Sequence, residues 1–222
     1  MLNVKKFTLA SLTFITFSAS AEVSMNIGVT SNYMWRGVTQ TADSAAVSGG
    51  VDYSADNGFY AGTWTSNVDF GTGAGSELDL YLGFAGSVSS IDYDIGYVMY
   101  TYPSTGFEDS NFSEIYLNTS FKNLTLGVAL NVNSDIDDDQ AFGAGDIYTY
   151  SSYTFDLPQE YSMTLTGGIY TFDENEDLYG DSDYSHLQVD ISKSDFTFSV
   201  SKATKESGND DVKVLISWSQ SF

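Results

Sequence analysis

The sequence predicts an all-β fold, a transmembrane antiparallel up-and-down β-barrel of about twelve strands with short periplasmic turns and longer, acidic extracellular loops. Three observations predict it. Apolar and polar residues alternate with period two over segments of roughly ten residues. Short and long connections alternate between these segments, which places tight turns at one rim and long loops at the other. The composition has 16 Tyr, 20 Gly and only 2 Pro, which favours β-structure with tight turns.

Residues 1–21 have the features of a secretory signal peptide. Lys5 and Lys6 precede a short apolar stretch, and Ala19-Ser20-Ala21 has the small-residue pattern of a cleavage site. The apolar stretch is shorter than the roughly 20 residues that a helix needs to cross a bilayer. We therefore expect a signal peptide at residues 1–21 and an outer-membrane β-barrel at residues 22–222.

The charge and the cysteine content restrict the possible functions. The leader contains two of the 8 basic residues and none of the 30 acidic ones, so the remaining chain has a formal charge of −24. Nucleic acid is excluded as a partner, because phosphate contacts need clustered Lys and Arg. The sequence contains 0 Cys, so disulfides do not hold an exported chain of this kind together.

Twelve segments with the period-two alternation are predicted strands. In the segment 124–132, for example, Leu and Val occupy the even positions, and Thr, Gly, Ala and Asn occupy the odd ones. The segment 59–68 has no clean alternation, so its faces are not assigned. The predicted strands lie at residues 23–35, 44–54, 59–68, 77–87, 91–102, 112–121, 124–132, 146–155, 161–171, 184–192, 196–203 and 211–222.

A closed cylinder of these strands explains why one face is apolar. In hydrocarbon every backbone N–H and C=O needs an internal partner, and a closed sheet supplies one without leaving an edge. The apolar alternate then faces lipid and the polar alternate faces the lumen. A soluble secreted β-sandwich or β-barrel stays open as the alternative, although its solvent face would normally carry many Lys and Glu residues. The aromatic residues expected at the periplasmic interface are Tyr53, Phe84, Phe121, Phe155, Tyr161, Phe196 and Trp218.

The last predicted strand ends in a pattern typical of outer-membrane assembly. Val214, Ile216, Trp218 and Phe222 provide apolar alternates and a final aromatic residue. This arrangement resembles the signal by which the barrel-assembly machinery recognises outer-membrane barrels. Gln220 departs from the pattern, because that position is often aromatic or aliphatic. We expect the assembly machinery and outer-membrane lipid to be partners of the chain.

Five stretches resemble one family of proteobacterial porin-like proteins, called TorF-like and also known as the Gcw_chp domain. The resemblance is strongest in "VTSNYMWRGVTQ" (29–40), "AVSGGVDYSADNGFYAGTWTSNVDF" (46–70) and "ELDLYLGFAG" (77–86). It continues in "DIGYVMYTYP" (94–103) and "NFSEIYLNTSFKNLTLGVALN" (111–131). The resemblance implies an outer-membrane β-barrel that conducts small solutes, and it implies no particular substrate.

The polar alternates of the predicted strands carry more acidic than basic residues. Such an excess favours cations over anions, as acidic rings do in cation channels. Simple solvation of the interior by these acids is the alternative explanation. The residues expected to line the pore and influence its selectivity are Arg36, Glu77, Asp79, Asp92, Asp94, Glu114 and Asp190.

Arg36 is the only arginine in the sequence. Continued alternation from Val29 places it inward, near the mouth on the long-loop side. A guanidinium has five donors, so it is costly to leave without acceptors. It is either a selectivity contact at a constriction or a structural ion pair that holds the first loop against the wall, and we favour the ion pair. Glu77, Asp79 and Glu114 are the candidate partners.

Two predicted outer loops are densely acidic. Asp135, Asp137, Asp139 and Asp146 match positions 1, 3, 5 and 12 of a calcium-loop template. Gln140 stands where the template needs Gly, so these residues are only a weak calcium candidate, and we expect no metal site and no cofactor. Divalent bridging to lipopolysaccharide at the outer rim is another role that such loops allow.

His186 is the only histidine and is predicted to face the lumen. A barrel hydrolase would need this histidine beside an activated serine and an orienting partner. Ser185 points to the opposite face of the strand, and the sequence contains no G-x-S-x-G, H-E-x-x-H, CxxC or P-loop motif. We therefore expect no enzymatic activity, and a barrel hydrolase is the third and weakest interpretation.

These observations predict a porin of the bacterial outer membrane, a passive diffusion channel for small hydrophilic solutes with a cation preference. The inward tyrosines Tyr81, Tyr100, Tyr116 and Tyr148 are expected to narrow the channel. The alternative is a closed structural or adhesive outer-membrane barrel that acts through its acidic outer loops.

Deleting Phe222 is expected to lower the amount of folded barrel in the outer membrane, because the deletion removes the aromatic end of the assembly pattern. Heat-modifiable migration of the protein from outer-membrane fractions on a gel measures this amount. Phe222→Tyr keeps an aromatic ring and is the matched control, which should give normal yield. An unchanged folded yield after the deletion contradicts this interpretation of the last strand.

Overall fold

The computed structural model of the chain describes residues 22–71, 74–103, 108–136, 141–173 and 182–222. These residues contain fourteen strands and three short 3-10 helices. The helices lie at Glu108–Ser110, Pro158–Glu160 and Lys205–Ser207. The strands are β1 (Glu22–Thr30), β2 (Met34–Trp35), β3 (Val38–Thr39), β4 (Ala46–Ser54), β5 (Phe59–Asp69), β6 (Ala74–Val88), β7 (Ile91–Thr101), β8 (Phe112–Phe121), β9 (Leu124–Ser134), β10 (Ile147–Asp156), β11 (Ser162–Thr171), β12 (Tyr184–Lys193), β13 (Phe196–Ala203) and β14 (Lys213–Ser221).

Twelve of these strands form one closed antiparallel barrel in the order β1-β14-β13-β12-β11-β10-β9-β8-β7-β6-β5-β4. β1 closes the cylinder against β14, with Asn26 opposite Ser221 and Thr30 opposite Ser217. β2 and β3 pair only with each other and form a separate hairpin. In the part of the chain that the structure describes, no helix is long and apolar enough to cross a membrane. The predicted all-β, up-and-down barrel and its strand number are confirmed.

Alternation along the strands gives the barrel an apolar outer surface and a polar inner one. On β9, Leu126 is 50% exposed, whereas its neighbour Thr125 is 2% exposed. On β14, Val214 and Ile216 face outward and Leu215 is buried inside. The predicted interfacial aromatics also face outward, with Trp218 half-buried and the others exposed: Tyr53, Phe84, Phe121, Phe155, Tyr161 and Phe196.

The first predicted strand is too long at its end. β1 stops at Thr30 rather than at residue 35, and residues 32–41 turn back into the lumen. Arg36 and Gly37 have φ values of 49° and 86°, which a regular strand does not accommodate, and they form the turn between β2 and β3. Arg36 is therefore inside the barrel, as expected, but on a hairpin rather than on a continued strand.

The faces of β5, which the sequence left unassigned, are clear in the structure. Tyr60, Ser66 and Val68 are buried inside the barrel, and Trp64 packs there against Tyr33. Apart from Phe59 at its start and Asp69 at its end, the outward positions of this strand carry Ala, Thr and Asn. Its alternation is hidden because Tyr60, Trp64 and Val68 point into the lumen instead of toward lipid.

Inward tyrosines lie against glycines of neighbouring strands. A Cβ atom added to any of these glycines would collide with the ring or hydroxyl of the tyrosine. Glycine therefore makes room for bulky side chains inside the cylinder, while the tyrosine covers the exposed backbone. The opposing pairs are Tyr60 with Gly83, Tyr81 with Gly62, Tyr116 with Gly96 and Tyr150 with Gly127.

Gly168→Ala is expected to destabilise the barrel by about 1–3 kcal/mol, because an added methyl group overpacks the lumen. Its Cβ would lie 2.5 Å from both the Tyr148 hydroxyl and His186 Nε2. Urea unfolding of the barrel in detergent micelles measures the change.

The neighbouring residue Gly167 is the matched control. It lies on the same strand, and a Cβ added there would have its nearest contact at 3.9 Å. Gly167→Ala should therefore change the free energy of unfolding by less than about 0.5 kcal/mol. Equal effects of the two substitutions would contradict the packing argument.

Candidate functional site

The hairpin formed by residues 33–40, here called the lumen hairpin, occupies the long-loop half of the barrel interior. Met34 and Trp35 are 2% and 9% exposed, so they are as buried as core residues. Its two central residues both have positive φ, which is the geometry of a type I′ hairpin turn. The Gln40 N–H donates to the Tyr33 carbonyl at 2.7 Å and closes the hairpin at its base.

The tip of the lumen hairpin reaches across the lumen to β8. Arg36 donates from Nη1 and Nη2 to the two carboxylate oxygens of Glu114, at 2.7 Å and 2.6 Å. The guanidinium carbon lies 4.3 Å from the ring centroid of Trp35, 4.2 Å from that of Tyr148 and 5.2 Å from that of Tyr170. The guanidinium is thus held by a bidentate carboxylate and by aromatic faces.

Burial and charge act on Arg36 in opposite directions. Burial alone would lower the pKa of the guanidinium, but the Glu114 carboxylate together with Tyr170 and Tyr100 outweighs this effect. The pKa of Arg36 consequently lies well above its ordinary value, and the side chain stays charged. This buried ion pair is stable only while both partners are present, because burying either charge without the other costs free energy.

Two further contacts tie the hairpin loop to the wall. The Tyr33 hydroxyl donates to Glu77 Oε1 at 3.0 Å on β6. Lys213 Nζ donates to Asp43 Oδ2 at 2.7 Å, from the first residue of β14. The side chain of Asp43 is 52% exposed, so this second ion pair contributes much less than the buried one. The hairpin is therefore anchored on widely separated strands of the barrel.

Aromatic side chains fill the space around the lumen hairpin. Phe142 comes from the loop between β9 and β10, and its carbonyl accepts a hydrogen bond from Asn131 Nδ2 at 2.7 Å. Phe142 from the described part of this loop therefore also lies in the barrel, and the long-loop half of the lumen is densely packed. Trp35 contacts four rings at centroid distances of 5.8 to 6.0 Å, namely Tyr100, Phe112, Phe142 and Tyr170.

The short-turn half of the lumen contains a polar network instead. Tyr60 donates a hydrogen bond to Asp94 and its hydroxyl also contacts that of Tyr116. Tyr81 donates to Asp52 in the same way. Asp52 also accepts a hydrogen bond from Asn26 Nδ2 at 3.2 Å, and within the described residues neither Asp94 nor Asp52 is in an ion pair with a basic side chain.

The seven predicted pore residues occupy different environments. Glu114 is the partner of Arg36, and Glu77 contacts the loop through Tyr33. Asp190 accepts a hydrogen bond from Gln188 Nε2 at 2.9 Å. Asp92 is exposed at the rim beside the β6–β7 turn and accepts from the Ser87 hydroxyl. The acids buried in the lumen are Glu77, Asp79, Asp94, Glu114 and Asp190.

His186 is buried in the lumen, as its position in the alternation indicates. The Tyr148 hydroxyl lies 2.8 Å from Nε2, and the two rings stack. Gly37 at the hairpin tip is in close contact with the His186 side chain, since a Cβ atom added to Gly37 would lie 2.5 Å from the Cβ atom of His186. Within the described residues no serine hydrogen-bonds to either ring nitrogen, so this part of the structure contains no nucleophile–base pair around His186.

The calcium-loop candidate is only partly visible. Asp137 and Asp139 lie outside the described residues. Asp135 is exposed and accepts a hydrogen bond from Asn111 Nδ2 at 2.8 Å, whereas Asp146 is buried and accepts one from the backbone N–H of Asp173 at 2.7 Å. Among the described residues no group of three or more His, Cys, Asp or Glu side chains has an arrangement that could hold a metal ion.

The residues of the predicted assembly pattern lie along β14, the closing strand. Val214, Ile216 and Phe222 are 59%, 56% and 71% exposed on the outer surface. Phe222 exchanges backbone hydrogen bonds with Met25 on β1, at 2.9 Å and 3.2 Å. The pattern thus coincides with the strand that closes the cylinder, and its role in assembly stays a prediction.

Sequence reasoning missed the lumen hairpin and the aromatic packing around it. Extending the first strand through "NYMW" hid the fact that "WRGV" is a two-residue turn between two short strands. Gly37 matches the second position of such a turn, but Arg36 stands where the usual signal has Asn, Asp or Gly. Phe142 and Trp35 could not be placed inside from alternation, because neither residue belongs to a barrel strand.

Comparisons with known proteins agree with this architecture. The fold is similar to that of the "KdgM porin", with a TM-score of 0.54 and 9% sequence identity over 90% of this chain and 98% of that chain. It is similar to "LpxR from Salmonella typhimurium", with a TM-score of 0.51 and 10% identity over 90% of this chain and 99% of that chain. No curated protein sequence matches the chain.

The fold is therefore similar to the barrel folds of the "KdgM porin" and of LpxR, and at these identities the likeness concerns the fold alone. A family model described as "Bacterial protein of unknown function (Gcw_chp)" matches residues 16–214. The chain belongs to the Gcw_chp family.

Glu114→Gln is expected to destabilise the barrel by about 3–5 kcal/mol, because it leaves the Arg36 charge buried without a partner. The double variant Arg36→Met/Glu114→Gln removes both charges and should recover most of this loss. Urea unfolding in detergent micelles, followed by tryptophan fluorescence, measures both changes.

Asp43→Asn breaks the more exposed Lys213–Asp43 pair and is the control for a surface ion pair, with an expected cost below about 1 kcal/mol. If Glu114→Gln costs no more than Asp43→Asn, the lumen hairpin is not held by the buried pair.

Proposed function

We propose that the protein is a TorF-like channel of the bacterial outer membrane, through which small hydrophilic solutes diffuse passively with a preference for cations. One observation carries the proposal: a closed twelve-strand barrel has an apolar exterior and an interior lined by polar and acidic side chains. Such an exterior is solvated by acyl chains, and such an interior by water and polar solutes. The proposal includes export through the signal peptide at residues 1–21, insertion by the barrel-assembly machinery, and lipopolysaccharide contact at the long-loop rim.

The charge of the lumen supports the cation preference. Arg36 is neutralised by Glu114, and Lys213 is paired with Asp43. Within the described residues, Asp94 and Asp190 have no basic side chain in an ion pair with them. Uncompensated carboxylates in a narrow, low-dielectric passage attract cations and repel anions.

The lumen hairpin is the proposed constriction. Barrels of about eight strands are filled by side chains, and those of sixteen to eighteen leave an aqueous channel, so twelve strands give an intermediate bore. In this chain the long-loop half of the bore contains the hairpin and its aromatic neighbours. Passage of solutes therefore depends on how much space the hairpin leaves or releases.

A closed outer-membrane barrel that acts through its acidic outer loops is the second candidate. The observation that favours it is the dense packing of the same half of the lumen, where the hairpin, Phe142 and the surrounding tyrosines are buried or half-buried. In that case the aromatic interior serves stability, and function lies in the loops.

Planar-bilayer recordings of the purified protein distinguish the two candidates. We expect small, stable conductance steps from the wild type. A variant with residues 33–40 replaced by a short Gly-Ser linker should conduct several-fold more, because it lacks the constriction. Folded protein that gives no steps in either form would support the closed barrel and exclude the channel.

The cation preference has its own test. Asp94→Asn and Asp190→Asn should each lower the cation-to-anion permeability ratio, because each removes an uncompensated lumen charge. The reversal potential in a salt gradient measures this ratio. Asp56→Asn changes an exposed acid in the β4–β5 turn and is the matched control. A ratio that responds equally to all three substitutions, or to none, contradicts selection by the lumen acids.

A further inference from the structure

The barrel wall contributes a nearly complete binding site around the Arg36 guanidinium. Glu114 on β8 accepts both of its Nη donors, and the rings of Tyr148 on β10 and Tyr170 on β11 face it. The Tyr100 hydroxyl on β7 donates to Glu114 Oε2 at 3.2 Å and orients the carboxylate. All four wall residues are buried, with exposures of 6% or less. A fixed carboxylate between aromatic faces is the chemistry that recognises a planar organic cation.

The hairpin turn itself does not account for an arginine at position 36. Its φ of 49° lies in the left-handed region, where a residue with a side chain is disfavoured and Gly or Asn is preferred. The backbone conformation at this position therefore opposes Arg, and the contacts of the guanidinium favour it. Arg36 is placed there by what its side chain binds.

The lumen hairpin and its flanks form a unit whose hydrogen bonds are largely internal. Thr39 donates to Asn32 Oδ1 at 2.6 Å, and Asn32 Nδ2 donates to Asp43 Oδ1 at 2.8 Å. The hairpin closes on itself between Tyr33 and Gln40. Because the hairpin also holds its own shape, removing only the Arg36 side chain leaves the wall site with its carboxylate and tyrosines in place.

We propose that Glu114, Tyr100, Tyr148 and Tyr170 form a binding site for a solute that carries a guanidinium group, and that Arg36 is its internal occupant. A soluble guanidinium compound and the hairpin tip compete for the same carboxylate. A compact ammonium binds less well, because it lacks the planar fork that matches both carboxylate oxygens. The inference does not depend on the proposed channel, since a barrel that conducts nothing can still bind the cation.

Chemical rescue of Arg36→Ala tests the site. Removing the side chain empties it, and millimolar guanidinium chloride should then raise the thermal unfolding temperature of the barrel in detergent above its value in equimolar NaCl. The rise should saturate with concentration, as for a ligand that binds only the folded state. Wild-type protein should show a much smaller rise, because Arg36 already occupies the site.

Two controls make the rescue specific. Arg36→Ala/Glu114→Gln lacks the carboxylate and should lose the response to guanidinium. Lys213→Ala removes the basic side chain of a more exposed ion pair, whose partner Asp43 is half exposed, and should show none. If Arg36→Ala does not fold, Arg36→Met keeps the aliphatic stem against the rings and takes its place, with refolding yield from urea in guanidinium chloride or NaCl as the readout.

The result that overturns the proposal is equally clear. Unfolding temperatures or refolding yields of the Arg36 variant that are the same in both salts would exclude the site. A response that survives Glu114→Gln, or that appears equally in Lys213→Ala, would show a general salt effect instead. Either outcome leaves the conductance measurements unaffected, so failure of this inference and failure of the channel function are distinguishable.

Discussion

A chain that crosses hydrocarbon as strands must pair its backbone N–H and C=O groups within itself, and here twelve strands do so by closing β14 on β1. The closed cylinder then determines which side chains meet lipid and which meet the lumen. Exposed Val, Leu and Ile residues at alternate positions, which would be a liability in water, become the surface that the membrane solvates. Most acidic residues on the other alternate are buried in the lumen: Glu77, Asp79, Asp94, Glu114 and Asp190.

The interior of a twelve-strand barrel is wide, and two kinds of side-chain packing occupy it in this chain. In the short-turn half, tyrosines from one strand pack over glycines of the next, and their hydroxyls bind lumen carboxylates. In the long-loop half, a hairpin and part of a second loop enter the barrel and bring Trp35 and Phe142 with them. The single arginine of the sequence lies where these inserted segments meet the wall.

Much of the fold could be predicted from the sequence, because each strand residue faces either lipid or the lumen and its polarity reflects that environment. Lipid and lumen impose a period of two on β9 and β14, so their faces could be read directly. β5 resisted this reasoning because its apolar side chains point inward, and the lumen hairpin was missed because its direction depends on distant contacts. Glu114 was one of three candidate partners for Arg36, and alternation placed it inside the barrel. Arg36 pairs with Glu114 rather than with Glu77 or Asp79 because of how far the hairpin extends across the lumen, and no local sequence pattern predicts that distance.

The wall of the cylinder is uneven along its circumference. β1 and β14 are joined by five residue pairs, whereas β1 and β4 share nine and β5 and β6 share eleven. When the barrel is heated or pulled, we expect its strands to separate first along the seam with the fewest residue pairs. That seam joins β1 and β14. Opening of this seam would create two strand edges with unpaired backbone groups, and each edge could pair with another protein chain. Backbone hydrogen bonds of Met25 with Phe222 and of Ser31 with Ile216 extend this seam beyond its five pairs, yet it stays shorter than the two longer seams. We therefore expect local opening of the folded barrel to begin between β1 and β14.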